Sequence, residues 1–166
     1  MSVQYKFPEG FWWGSATSAT QMEGAANAGG KGKNIWDHWY EVEPNRFFEG
    51  VGPESTSDFY YRYKEDIQLM KEIGHNTFRL SISWSRLIPG GRGEVNQEAV
   101  KFYNHVIDEL LANGIEPFVN LYHFDMPFEL QEEGGWESRS VVDAYAAYAK
   151  EAFHLSPFPQ SWPERY

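Results

Sequence analysis

Cysteine is absent from all 166 residues, which excludes a disulfide framework, a thiolate metal site and a cysteine nucleophile. Apolar runs of membrane-spanning length are missing too. Basic residues are scarce: 14 Lys and Arg stand against 24 Asp and Glu, a formal charge of −10. That balance lacks the basic footprint of a nucleic-acid binder and disfavours an anionic membrane surface. No positive segment followed by an apolar one opens the chain, so no signal peptide is expected and a cytoplasmic setting is. The HExxH, EF-hand, P-loop, GxGxxG and GxSxG patterns are all absent, so neither a metal nor a cofactor is expected, and no serine nucleophile.

What the chain has in excess is aromatic side chains, 17% of residues with seven Trp. Flat apolar rings suit both packed cores and stacking on sugar faces, so their number does not choose between the two. Organisation is more informative. Residues 11–16 form a short apolar run with Gly14 inside it, which reads as a strand, and residues 31–52 read as a long loop. Ser57 can cap a helix whose apolar stripe is Phe59, Tyr60, Tyr63, Ile67 and Met70, with Gly74 at its end. Residues 77–84 alternate as a strand. Asn96 caps a second helix, with Val95 and Val100 placed for a hydrophobic staple and Gly114 beyond its last turn. A third strand covers residues 118–123 after Pro117. A third helix starts near Ser140 and carries Val141, Val142, Tyr145, Tyr148 and Phe153 on one face.

Three successive strand–helix units predict an α/β fold with a parallel sheet, either doubly wound or part of a barrel. Phe78, Leu80, Ile82 and Trp84 alternate with Thr77, Arg79, Ser81 and Ser83. If the apolar set meets the helices, Arg79 points to the sheet's inner surface, where an unpaired charge is costly and a carboxylate partner is expected. An antiparallel strand with Arg79 in solvent is the alternative.

Gln21 and Glu23 follow the first strand. An amide both donates and accepts, so Gln21 can grip two adjacent sugar hydroxyls, whereas Glu23 reads as a structural partner or loop residue rather than a catalytic acid. His123 stands at the carboxyl end of the third strand, where barrel ligands bind, although a lone His is as a rule a hydrogen-bonded packing residue. Asp125 can cap the following loop or accept from a neighbouring ring nitrogen.

The segments FPEGFWWGSATSATQMEG, TFRLSISWSR and NLYHFDMPFELQEEGGWESR resemble, in order and spacing, three signatures of glycoside hydrolase family 1. The resemblance covers roughly residues 5–153. It implies a (β/α)8 TIM barrel of retaining exo-β-glycosidases, of which this chain supplies about the first three βα units. It also implies that Gln21 and His123 bind hydroxyls of the terminal sugar, and that Arg79 contacts the nucleophile's carboxylate. The implied substrate is a small-molecule β-glucoside. Phe124, in place of a Trp common in enzymes for plain glucosides, points to the 6-phosphorylated kind, with an ordinary β-glucosidase as the alternative.

Retaining hydrolysis uses two carboxyl groups about 5 Å apart. In this family they lie in Asn-Glu-Pro and Thr-Glu-Asn-Gly segments, and the 166 residues contain neither. No catalytic residue is therefore assigned, and the isolated chain is expected to be inactive, at most a sugar-binding remnant. Residues 1–153 read as the N-terminal part of the barrel. Residues 154–166, with Pro157, Pro159 and Pro163, read as an aberrant tail in which a helix cannot continue.

Overall fold

The structure, a computed structural model, describes residues 5–155. Three parallel strands, β1 (Gly14–Ala16), β2 (Thr77–Ser81) and β3 (Glu116–Asn120), pair in the order β1-β2-β3. Helices α1 (Ala19–Met22), α2 (Ile35–Val42), α3 (Phe59–Glu72), α4 (Trp84–Leu87), α5 (Gln97–Ala112), α6 (Phe128–Glu132) and α7 (Arg139–Ala152) follow or connect them.

Alternation in β2 separates two environments. Phe78 and Leu80 are buried in a core that also takes Ile67 of α3, Tyr103, Val106 and Leu110 of α5, and Val141 and Tyr148 of α7. Arg79 lies on the opposite face, in register with Ala16 on β1 and Phe118 on β3, because paired residues of neighbouring strands share a side of the sheet. The antiparallel alternative for β2 is thereby excluded.

Helix ends follow local chemistry. Asn96 Oδ1 accepts the Glu98 N–H at 3.1 Å, and Gly114, at φ +74°, lets the chain leave α5 toward β3. Five expectations need correction. The segment 31–52 is not all loop: it contains α2, held by a capping box in which Asn34 and Asp37 exchange side-chain and backbone bonds. At α3 the cap position is Asp58 in left-handed conformation, not Ser57, and the Tyr60 N–H of the first turn goes instead to the Glu23 carbonyl at 3.0 Å. Strand β2 ends at Ser81, and Trp84 belongs to α4, where it stacks on Tyr148 with ring centroids 5.1 Å apart. Similarly β3 ends at Asn120, ahead of His123. Val142 and Phe153 are exposed rather than part of the buried stripe of α7, because Val141, Ala144, Tyr148 and Ala152 occupy that face. Of the proline-bearing segment 154–166, residues 156–166 lie outside the described residues, while Leu155 is buried in the core.

Candidate functional site

The carboxyl ends of β1 and β3 lead into two loops that meet over β2. After β1 the chain turns at once into α1, tied down where Ser81 Oγ accepts the Ala19 N–H at 2.8 Å. Ser18 donates its hydroxyl to Gln21 Oε1 at 2.7 Å, which orients the amide and leaves its NH2 as a donor. After β3 the chain reaches His123, half-buried, followed by Phe124 with φ +59° and an exposed ring. A left-handed aromatic residue is unusual and persists only where its surroundings hold it. Here Trp36 of α2 donates its indole N–H to the Phe124 carbonyl at 2.6 Å.

Gln21 and His123 line one open cleft of about 340 Å³, together with Ser18, Trp36, Phe47 and Phe124. Its size fits a small organic ligand, and its makeup, aromatic walls with a few polar groups, fits a ligand with both flat and hydroxylated surfaces.

Arg79 does not line the cleft; it buttresses it. Its Nη1 donates to the Thr17 carbonyl at 3.1 Å, and its Nη2 stands 3.3 Å from His123 Nδ1. Among the described residues no carboxylate pairs with it within 4 Å. Because a guanidinium only donates, Nδ1 must accept, so the ring is neutral and carries its proton on Nε2. Burial, and then the charge of Arg79, lower the His123 pKa, in keeping with that tautomer. The ring's free polar group is thus an N–H donor.

Glu23 is not in the cleft. It is buried and bonded on both oxygens, accepting from Arg86 Nε and from the Tyr103 hydroxyl, each at 2.8 Å. Arg86 also donates to the Ala28, Gly24 and Ala25 carbonyls and lies over the Tyr60 ring. Burial, the largest single influence, lowers its pKa, but the charge and hydrogen bond of Glu23 together with Tyr103 and Tyr60 outweigh it and the net direction is up. Among the described residues no three His, Asp or Glu side chains gather to hold a metal, and no helix is long and apolar enough to cross a membrane.

The sequence model of the family described as "Glycosyl hydrolase family 1" matches residues 3–158. The chain belongs to glycosyl hydrolase family 1. It is 68% identical to the 6-phospho-β-glucosidase GmuD of Bacillus subtilis over 152 residues, which make up 92% of this chain and 33% of that protein. Among solved structures, a family 1 β-glucosidase from Thermotoga maritima matches with a TM-score of 0.86 at 45% identity, covering 90% of this chain and 34% of the other. An aphid myrosinase matches with a TM-score of 0.88 at 37% identity, covering 92% and 33%. The chain thus spans about a third of the length of the relatives it matches. Its three parallel strands and their helices are a partial (β/α)8 TIM barrel, about three βα units of eight. As a family 1 chain it presents the cleft at the carboxyl ends of its strands, where barrels of this kind bind their ligands.

Of the residues that the sequence singles out, Gln21 and His123 line this cleft and Arg79 stands behind it, whereas Trp36, Phe47 and Arg86 carry no such signal. The capping box of Asn34 and Asp37 was the available signal for the helix that delivers Trp36. Nothing in the spacing signals that the Arg86 guanidinium meets a carboxylate 63 residues away.

Proposed function

We propose that this chain forms the sugar-gripping part of a retaining β-glycosidase that acts on 6-phospho-β-glucosides in the cytoplasm. The observation that carries the reading is the convergence of Gln21 and His123 on one aromatic-walled cleft. An amide donor and an imidazole N–H donor facing one cleft suit the hydroxyls of a pyranose, while Trp36, Phe47 and Phe124 suit its apolar face. Arg79 holds the His123 ring from behind and, in a complete barrel, is placed to meet the nucleophile's carboxylate.

The phosphorylated substrate is supported by the 68% identity to a protein named as a 6-phospho-β-glucosidase. A plain β-glucoside is the second reading, supported by relatives near 45% identity that are named as β-glucosidases. Neither Asn-Glu-Pro nor Thr-Glu-Asn-Gly occurs in the 166 residues, and the proposal includes that these residues taken alone turn over neither substrate.

The test is a chimera in which residues 3–155 replace the matching third of the Bacillus subtilis enzyme. Hydrolysis of p-nitrophenyl β-glucoside 6-phosphate well above that of the plain glucoside supports the first reading, and the reverse order supports the second. A folded chimera that cleaves neither sinks both.

A further inference from the structure

Asp125 is fully buried, and only one of its oxygens is engaged. Its Oδ1 accepts the His123 backbone N–H at 3.2 Å, while Oδ2 has no hydrogen-bond partner among the described residues. Between the two residues sits Phe124 in its left-handed conformation, its carbonyl bonded to the Trp36 indole. The turn that presents His123 is therefore closed from two sides, by a carboxylate beneath it and an indole beside it. The ring itself is held by Arg79.

We infer that Asp125 is a positioning residue for His123: its buried carboxylate holds the His123 amide and thereby fixes where the imidazole stands in the cleft. This inference rests on the reading of His123 as a ligand of the sugar. Burying a charge with one oxygen unpaired is costly, and a residue that only filled space here would not need one. An ionised carboxylate accepts more strongly from an N–H than a neutral acid does, so the grip on the turn depends on ionisation. The titratable groups that face Asp125 are Glu23 after α1, Tyr122 at the end of the β3 loop and Tyr148 on α7. None of these is a cation. Burial is the largest of the influences that together set the Asp125 pKa at about 6. Glu23 also raises it, while the His123 N–H opposes them, as do the Asp125 N–H and the Ser83 hydroxyl, which lie near the carboxylate without a well-formed hydrogen bond to it. The grip then changes within the range in which cells and compartments differ.

The experiment is NMR of the 166-residue chain with labelled backbone and histidine rings, titrated from pH 5 to 7.5 without any sugar. The expected result is an inflection near pH 6 in the His123 amide shift that coincides with the Asp125 carboxyl carbon. Apart from any inflection that follows the His123 ring's own shifts, it should vanish in Asp125→Asn, which keeps the shape but cannot ionise. His123 amide exchange should become about tenfold faster in Asp125→Ala, as expected for loss of one hydrogen bond. A His123 amide that stays flat while the Asp125 carboxyl titrates overturns the inference, as does an inflection that survives in Asp125→Asn without following the ring's shifts. Should either variant fail to fold, the wild-type comparison of the two inflections decides alone. The outcome is separable from the sugar reading: an inactive chimera would leave this coupling intact, and a missing coupling would leave activity unexplained but present.

Discussion

Arg86 Nε donates to Glu23 Oε2 at 2.8 Å, and both side chains are withdrawn from solvent. The pair joins the loop after β1 to α4, and Tyr103 of α5 closes it by donating to the other Glu23 oxygen while accepting the Ser83 N–H at 2.8 Å. This buried network is the platform beneath the cleft. It fixes the segment that carries Gln21 without touching the cleft itself.

Removing one partner of such a pair leaves an uncompensated buried charge. Glu23→Ala is expected to lower unfolding free energy by roughly 3–5 kcal/mol. Arg86→Met with Glu23→Leu together should cost clearly less than the sum of the single changes. Urea unfolding followed by tryptophan fluorescence checks both, and additive losses would contradict the coupling.

Tyr103→Phe removes only the hydroxyl, yet it orphans the buried Ser83 N–H and one oxygen of Glu23. The expected loss is roughly 1–3 kcal/mol, measured in the same way. A neutral result would mean that another group takes over the Ser83 bond.

Much of this scaffold was legible in the sequence, and the limits have physical reasons. The Asn96 cap, the Gly114 exit and the inward Arg79 followed from local rules, since each depends on residues within one turn or one alternation. Helix α2 escaped because its eight residues sit among aromatic and glycine-rich neighbours, and only the Asn34–Asp37 box marks its start. Ser57 was the plausible cap of α3, but a tertiary bond from Tyr60 to the Glu23 carbonyl removed the need for one. In the site, Gln21 and His123 were legible through motif and strand end. Trp36 and Arg86 depend on contacts across 88 and 63 residues, which periodicity cannot carry.

Gly24 has φ +62°, and a Cβ there would stand 2.2 Å from the Ser55 carbonyl oxygen. Gly24→Ala must both strain the backbone and displace that strand of loop. A loss of at least roughly 1–2 kcal/mol is expected from the conformation alone. Thermal unfolding of the variant at the wild-type midpoint would reveal a smaller effect if the loop yields freely.

The raised pKa of Asp125, about 6 against an ordinary 3.8, has a defined sign in stability. Between these values the folded chain binds more protons than the unfolded one, so stability falls as pH rises from about 4 to about 6. The full contribution is about 3 kcal/mol at 1.36 kcal/mol per pH unit. It is fully absent as a penalty below pH 4 and complete above pH 6. The difference in unfolding free energy between wild type and Asp125→Asn should therefore show this slope in that window. A difference that is constant with pH would place the Asp125 pKa near its unfolded value.

The central claim is that Gln21 and His123 grip the sugar together. Its most direct measurement is kcat/KM of the active chimera for its preferred substrate, with Gln21→Ala and His123→Ala introduced singly. Loss of Gln21 should approach two hydrogen bonds at about 1.5 kcal/mol apiece, a fall on the order of 10²-fold, and loss of His123, with its single free N–H, one such bond, a fall on the order of 10-fold, with the fold intact by circular dichroism. Values for both variants within about twofold of the parent would contradict the account.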